Sequence, residues 1–320
     1  MAKKSFTPIP PMAQLPQPEE IDIESLLKAY IEGDIDLICI LGPTASGKTR
    51  YAVLMAKQLN EMGHKAEIIS ADSRQVYRGM DIGTGKDLDE YGDIPYHLID
   101  IANAGDKYNI YEYQKDFEKV YREIRERGNI PLLCGGSGLY IEAATCGYSL
   151  PEVPANPQLR EELEKESTEA LIQKLASLKP LHNSTDYDTR KRLIRALEIA
   201  IYESEHPAKR TSFLPKNTFY IGTLVSREVR NERIDRRLED RLQEGMVDEI
   251  KRILDSGVPA EDLIYYGLEY KYVTMYLIGA LDYDQMKLQL ATAIHQFAKR
   301  QMTWFRGMER KGIRIHWTQV

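Results

Sequence analysis

The octapeptide Gly42-Pro43-Thr44-Ala45-Ser46-Gly47-Lys48-Thr49 restricts the fold more than any other stretch of this chain. It fits GxxxxGK[ST] and has the flanks that motif requires. Residues 35–41 (IDLICIL) are a short, β-branched apolar run, and residues 50–60 read as an amphipathic helix. That is strand, phosphate loop, helix. The pattern recurs: residues 66–70 (AEIIS), 96–101 (YHLIDI) and 130–134 (IPLLC) are strand candidates, with a helix over 110–127 between the last two. Alternation of this kind predicts a parallel sheet covered by helices on both faces. The expected class is α/β, a P-loop doubly wound parallel sheet with a helical insertion domain.

The insertion is marked by a change of texture. Residues 151–157 (PEVPANP) form a proline-rich boundary, and 158–205 show helical periodicity with few strand signals. A strand returns over 219–225 (FYIGTLV). From Arg227 onward Ile234, Leu238, Leu242, Met246 and Ile250 recur in steps of four, which predicts one face of a long helix. Two more helices are expected near 262–277 and 284–305, and a last strand over 313–317. The expected organisation is a proline-rich tail and first helix over 1–34, a catalytic core over 35–150 and 216–320, and the insertion over 151–215.

Composition narrows the function classes. The 43 basic and 49 acidic residues leave a net charge of −6, which argues against binding bulk nucleic acid by global charge and leaves local basic surfaces open. Cys39, Cys134 and Cys146 form no CxxC pair, so neither a disulfide framework nor a zinc site is supported, and a reducing compartment follows. The first twenty residues carry prolines at 8, 10, 11, 16 and 18 and no apolar core segment, so they read as an extended tail rather than a signal peptide. No apolar run reaches the roughly 18 to 20 residues of a membrane span. A cytoplasmic protein is expected.

In the octapeptide, backbone N–H groups and the helix N-terminus converge on one anion, Lys48 adds a point charge, and the Thr49 hydroxyl can reach magnesium. The loop does not say which phosphate compound it holds. Asp72 follows the second strand, and in a doubly wound sheet strand C-termini share one crevice. A carboxylate there can bind magnesium through water, accept a proton from a nucleophile, or merely cap a turn before Ser73. Residues 81–86 (DIGTGK) read equally as a hinge, a second phosphate contact or a surface loop. Residues 135–140 (GGSGLY) follow the strand ending at Cys134 and let backbone approach a ligand. Basic residues cluster at Arg190, Lys191, Arg192 and Arg195, at Arg227, Arg230, Arg233, Arg237 and Arg241, and at Lys299, Arg300, Arg306, Arg310 and Lys311. The second cluster is either a phosphate-tracking stripe or a salt-bridged, solvated helix face.

Taken together, GPTASGKT, DSRQVYRGMDIGTGK, YHLID, GGSGLY, RKRLIRALEIA, the SRE at 226–228 and AKRQMTWFRG at 298–307 resemble the bacterial tRNA dimethylallyltransferase family. The resemblance runs from about residue 35 to 317 in the family's order. It implies transfer of a dimethylallyl group from dimethylallyl diphosphate to the exocyclic N6 amine of the adenosine 3′-adjacent to the anticodon, releasing pyrophosphate. On it, Gly42 to Thr49 hold a prenyl diphosphate rather than ATP. Asp72 accepts the amine proton, Thr44 positions the bridging oxygen, and Lys48, Arg227 and Thr49 with magnesium neutralise the leaving group. Ser73, Arg74 and Gln75 join Asp72 on the tRNA. Ser137 replaces the family's usual threonine and keeps a hydroxyl, while Arg160, Lys191, Arg192 and Arg195 contact tRNA from the insertion. The target base has to be flipped from the anticodon loop. One departure is Gly267-Leu268-Glu269, where the family commonly has a cation after GY, which puts a tRNA contact there in question. The implied partners are the tRNA anticodon loop and dimethylallyl diphosphate, with no membrane and a monomer expected. A P-loop kinase, a prenyltransferase for free adenine nucleotides and a non-catalytic RNA-binding module are the rivals.

Overall fold

The computed structural model describes residues 16–147, 153–179, 189–206 and 215–320. The chain divides into two compact units, Met1–Cys146 with Pro215–Val320, and Gly147–Leu214. Residues 1–15 of the expected tail and residues 151–152 of the proline-rich boundary lie outside the described residues.

In the first unit, strands β1 (Leu37–Leu41), β2 (Ala66–Ser70), β3 (Tyr96–His97), β4 (Ile130–Gly135), β5 (Thr218–Leu224) and β6 (Ile315–Gln319) pair in the order β3-β2-β4-β1-β5-β6. Every pairing is parallel. Strand β1 is central, so the chain winds outward from it in both directions and the loops after β1, β2 and β4 converge at one edge. Side chains alternate across the pleat. Ile38, Ile40, Ile68 and Leu132 turn to the face covered by α1 (Ile23–Glu32) and α2 (Lys48–Glu61), packing with Leu26, Ala52, Met55 and Leu59. On the opposite face Cys39 lies by Tyr113 of α3 (Ile110–Glu126), a helix begun by an Asn109 capping box and laid over β2 and β4.

Helix α4 (Gly138–Thr145) follows β4, and the C-terminal helices are α8 (Arg227–Gln243), α9 (Met246–Asp255), α10 (Ala260–Tyr266), α11 (Leu268–Leu277) and α12 (Tyr283–Arg310). They form a second core with Val76, Tyr77 and Met80. The second unit holds α5 (Pro157–Glu164), α6 (Thr168–Leu178) and α7 (Arg190–Glu205) around Leu163, Leu171, Leu193 and Leu197.

Three expected elements differ. The strand over 96–101 is only Tyr96–His97, because Leu98 and Asp100 adopt left-handed φ of 62° and 57° and turn Asp100 onto Lys86. The long helix from Arg227 breaks at Gly245, φ 99°. Apolar steps of four gain about 40° each on a helix, so a straight rod would carry Ile250 roughly 160° away from Ile234. The break returns both to one core. The helix over 262–277 is likewise two, parted at the extended Gly267.

At the strand N-termini, away from the convergent loops, the buried Glu67 of β2 accepts from Arg127 Nε at 3.1 Å and Nη2 at 2.8 Å and from Asn129 Nδ2 at 2.6 Å, and lies 2.6 Å from His97 Nε2. Burial alone would raise its pKa; these hydrogen bonds outweigh burial and bring it down to about 2. A depressed carboxylate pKa contributes stability that is present above its ordinary value of 4.5 and lost as pH falls toward 2. Replacing Glu67 by Gln is therefore expected to flatten the stability–pH curve across that window, read by urea unfolding at stepped pH; an unchanged acid limb would show that other carboxylates control it.

Candidate active site

The phosphate loop joins β1 to α2, and the backbone turns it tightly: Ala45 has φ 60° and Gly47, the N-cap of α2, φ 82°. That cap supplies no side-chain acceptor to the first turn, so the turn's N–H groups face outward for an anion. Buried Ser46 shares a 2.7 Å hydrogen bond with Thr223 of β5, which pins the loop to the sheet. Burial lowers the pKa of Lys48, opposed by the nearby Asp72 carboxylate.

A clamp from far along the chain fixes the loop's position. Gln301 on α12 is buried; its Oε1 accepts the Thr44 N–H at 2.8 Å while its Nε2 donates to Gly136 O at 2.9 Å. One side chain thus spans the loops after β1 and β4. A Cβ on Gly136 would lie 2.5 Å from Gln301 Nε2, so a side chain there would push the clamp aside. Two residues on, a Cβ on Gly138 would lie 2.3 Å from the Trp304 ring.

These loops open into a cavity of about 620 Å³ whose lining includes Thr44, Lys48, Thr49, Asp72, Ser73, Arg74, Gln75 and Ser137. Asp72 Oδ1 accepts the Arg74 N–H at 2.9 Å, which is the capping role, and among the described residues Oδ2 accepts no hydrogen bond. The cap thus commits one oxygen of the carboxylate and leaves the other uncommitted. Ser137 Oγ accepts from Ser73 N at 3.1 Å and donates to Ser73 Oγ at 3.2 Å, stitching the two loops. Gln75 Nε2 donates to Gly85 O at 3.1 Å.

Of the DIGTGK segment, Gly83, Thr84 and Gly85 line the cavity. Lys86 does not: it is buried, donating to Tyr77 O at 2.7 Å and pairing with Asp81 at 2.6 Å and with Asp100. It is an internal ion centre, not a second phosphate contact. Glu249, unremarked in the sequence, holds this segment by accepting N–H groups of Asp81 at 2.9 Å, Ile82 at 2.8 Å and Gly83 at 3.1 Å, together with the Tyr270 hydroxyl at 2.5 Å.

Arg227 stands apart from these residues. It is exposed at the first residue of α8 and lines neither this cavity nor a second one of about 730 Å³. Arg237, ten residues on and about 15 Å further along the helix axis, lines both. The second cavity adjoins Lys48 and Thr49 and carries Arg233 and Arg236 besides Arg237. The signal in the sequence is the arginine stripe itself, with its steps of three and four. Arg237 pairs with Asp87, and Arg241, whose pKa burial lowers, lies 3.9 Å from Glu269. Glu269, at the position where a cation is usual, is thus an ion-pair partner in the cavity wall, and burial raises its pKa.

Within the second unit, Arg160 donates to the buried Glu198 through Nε at 3.1 Å and Nη2 at 2.8 Å, and Arg195 pairs with the same carboxylate. Two of the four arginine and lysine positions expected on tRNA thus hold this unit together. Lys191 and Arg192 are exposed on α7.

A family described as IPP transferase matches residues 75–308. A tRNA dimethylallyltransferase 2 of Bacteroides fragilis is 57% identical, covering 90% of this chain and 94% of that relative. A tRNA dimethylallyltransferase 1 of Porphyromonas gingivalis is 58% identical over 88% of this chain and 93% of the relative. The crystal structure of a full-length tRNA isopentenylpyrophosphate transferase of Bacillus halodurans aligns with TM-score 0.63 at 35% identity, covering 89% of each chain. A eukaryotic dimethylallyltransferase structure, at 24% identity, covers 84% of this chain and 69% of that one and shares the fold with TM-score 0.68.

Replacing Gln301 by Leu strands the Thr44 N–H and the Gly136 carbonyl, each at a cost of about 1–3 kcal/mol where water cannot reach. Urea unfolding is expected to report a loss of that order. Stability equal to the parent protein would mean the two loops are held by other contacts.

Proposed function

The chain belongs to the tRNA dimethylallyltransferase family, and we propose that the cavity of about 620 Å³ is where the allylic carbon of dimethylallyl diphosphate meets the N6 amine of the adenosine 3′-adjacent to the anticodon. It is a prenyltransferase that modifies tRNA. One observation carries the residue-level reading: a cation on a phosphate loop, Lys48, and a carboxylate with one uncommitted oxygen, Asp72, line the same cavity. An aromatic amine is a weak nucleophile, so its attack needs a base beside it and a stabilised leaving group.

The nitrogen forms a bond to the allylic carbon as the bond from that carbon to the diphosphate oxygen breaks. The amine proton passes to Asp72 Oδ2, and pyrophosphate leaves. Negative charge on the departing oxygens is met by the first-turn N–H groups of α2, by Lys48 and by Arg237, which takes the role expected of Arg227. Thr44 faces the same cavity, and its hydroxyl would orient the bridging oxygen. The arginine-lined second cavity beside Lys48 and Thr49 suits entry of the diphosphate end, leaving the Asp72 side for the base. There Ser73, Arg74, Gln75 and Ser137 would contact the RNA, and Lys191 and Arg192 would serve from the second unit. A cytoplasmic monomer belongs to the same reading. Among the described residues no helix is long and apolar enough to cross a membrane.

Magnesium fits the donor chemistry. No group of three His, Cys, Asp or Glu among the described residues makes a cage. A cation here would therefore share its coordination between the Thr49 hydroxyl, water and diphosphate oxygens, the usual manner for this ion. When bound, it would add positive charge at the leaving group.

Incubation with dimethylallyl diphosphate, magnesium and unmodified tRNA, followed by nucleoside mass spectrometry, is expected to yield prenylated adenosine. Asp72→Asn should lower turnover by about 10² to 10⁴-fold while pyrophosphate still binds; near-normal turnover removes Asp72 as proton acceptor. Arg237→Gln should weaken pyrophosphate binding and Arg227→Gln should leave it nearly unchanged, as read by calorimetry. The opposite ranking restores Arg227.

A further inference from the structure

Four large apolar side chains that line the main cavity are also among the exposed ones of this chain: Leu139 at 46%, Tyr265 at 66%, Phe297 at 37% and Trp304 at 42%. They come from three separate elements, α4, α10 and α12, so their convergence on one opening is a product of the fold. Exposed aromatic groups gathered at one opening mark a surface that something covers.

The geometry points to what covers it. Phe297 and Trp304 are seven residues apart, two turns on one helix face, and Gln301 between them is the side chain that fixes the phosphate loop. The Trp304 ring is seated against Gly138, and Tyr265 adjoins Tyr266, whose hydroxyl donates to Asp106 O at 2.9 Å and accepts from Gly105 N at 2.7 Å. These rings are pre-positioned. Two of them carry a guanidinium: Arg74 lies 5.9 Å from the Tyr265 centroid and Arg300 lies 5.8 Å from that of Phe297. Ring faces beside arginines, open to solvent, are how unpaired bases and their phosphates are received. A hydrocarbon tail would favour a closed apolar pocket without guanidinium groups.

Resting on the tRNA-modifying reading above, we propose that Tyr265, Phe297 and Trp304 form a stacking platform for the unpaired bases next to the target adenosine. By capturing those neighbours, the platform offsets the stacking lost when the adenosine turns into the cavity, where Asp72 lies. The three are positioning residues: they act on the flanking nucleotides and not on the reacting atoms.

The test uses the full chain, an unmodified anticodon stem-loop RNA and, as the donor-site probe, inorganic pyrophosphate. Tyr265→Ala and Phe297→Ala are each expected to raise the RNA Kd about ten-fold, the scale of one base–aromatic stack, with pyrophosphate binding unchanged. Phe297→Leu should fall with the alanine variant and Tyr265→Phe should match the parent, because a ring face and not apolar area is what counts. RNA affinity retained in both alanine variants, or restored by leucine, overturns the platform. So does sedimentation showing that these rings join two copies of the chain. If the parent protein itself fails to prenylate tRNA, the substrate reading fails; if it does so and the variants bind RNA as it does, only the platform fails.

Discussion

The two hydrogen bonds of Gln301 are the constraint on which the rest of the site depends. The phosphate loop follows β1 and the GGSGL loop follows β4, and these strands are neighbours. Pairing in the sheet aligns the strands and leaves the loops beyond them free to diverge. A single buried amide, 257 residues beyond Thr44 and 165 beyond Gly136, removes that freedom, because it accepts from one loop and donates to the other. Lys48, Thr44 and Ser137 share a cavity wall as a result. The same helix brings Phe297 and Trp304 to the opening, so the setting of the phosphate site and the shape of its entrance are mechanically one.

Anions of the chain's own hold the remaining walls. Glu249 gathers three consecutive backbone N–H groups, Asp87 engages Arg237 and Glu269 lies against Arg241. A cavity that gathers positive groups carries their mutual repulsion. Pairing Arg237 and Arg241 with carboxylates from different segments offsets that repulsion and aims the two guanidinium groups. Glu269 illustrates the point: it comes from α11 and lies 3.9 Å from Arg241 of α8.

Strand, loop and helix around residues 37–61 were legible in the sequence because each is fixed locally, by apolar run length, by glycine in the turn and by helical periodicity. The strands over 66–70 and 130–135 were readable for the same reason. Misreadings occurred where a long-range partner overrode local pattern. The run YHLIDI looked like a strand until Asp100 was drawn to Lys86, and the sequence left Lys86 between a hinge, a phosphate contact and a surface loop, where three oxygens enclose it instead. Arg227 and Arg237 have the same chemistry and sit on one helix, and sequence offers no means of knowing which turn of that helix passes the phosphate loop.

By itself, then, the sequence determined that a GxxxxGK[ST] loop spans Gly42 to Thr49 between a strand and a helix, that Asp72 follows the end of the next strand, and that the whole resembles tRNA-modifying prenyltransferases. These depend on residues close together in the chain. Only the tertiary structure decided which arginine faces the loop, which glutamates anchor its neighbours, and that Gln301, Tyr265, Phe297 and Trp304 belong to the site at all. Each of those is settled by where distant elements cross, and crossing is governed by burial of the two cores rather than by any local signal.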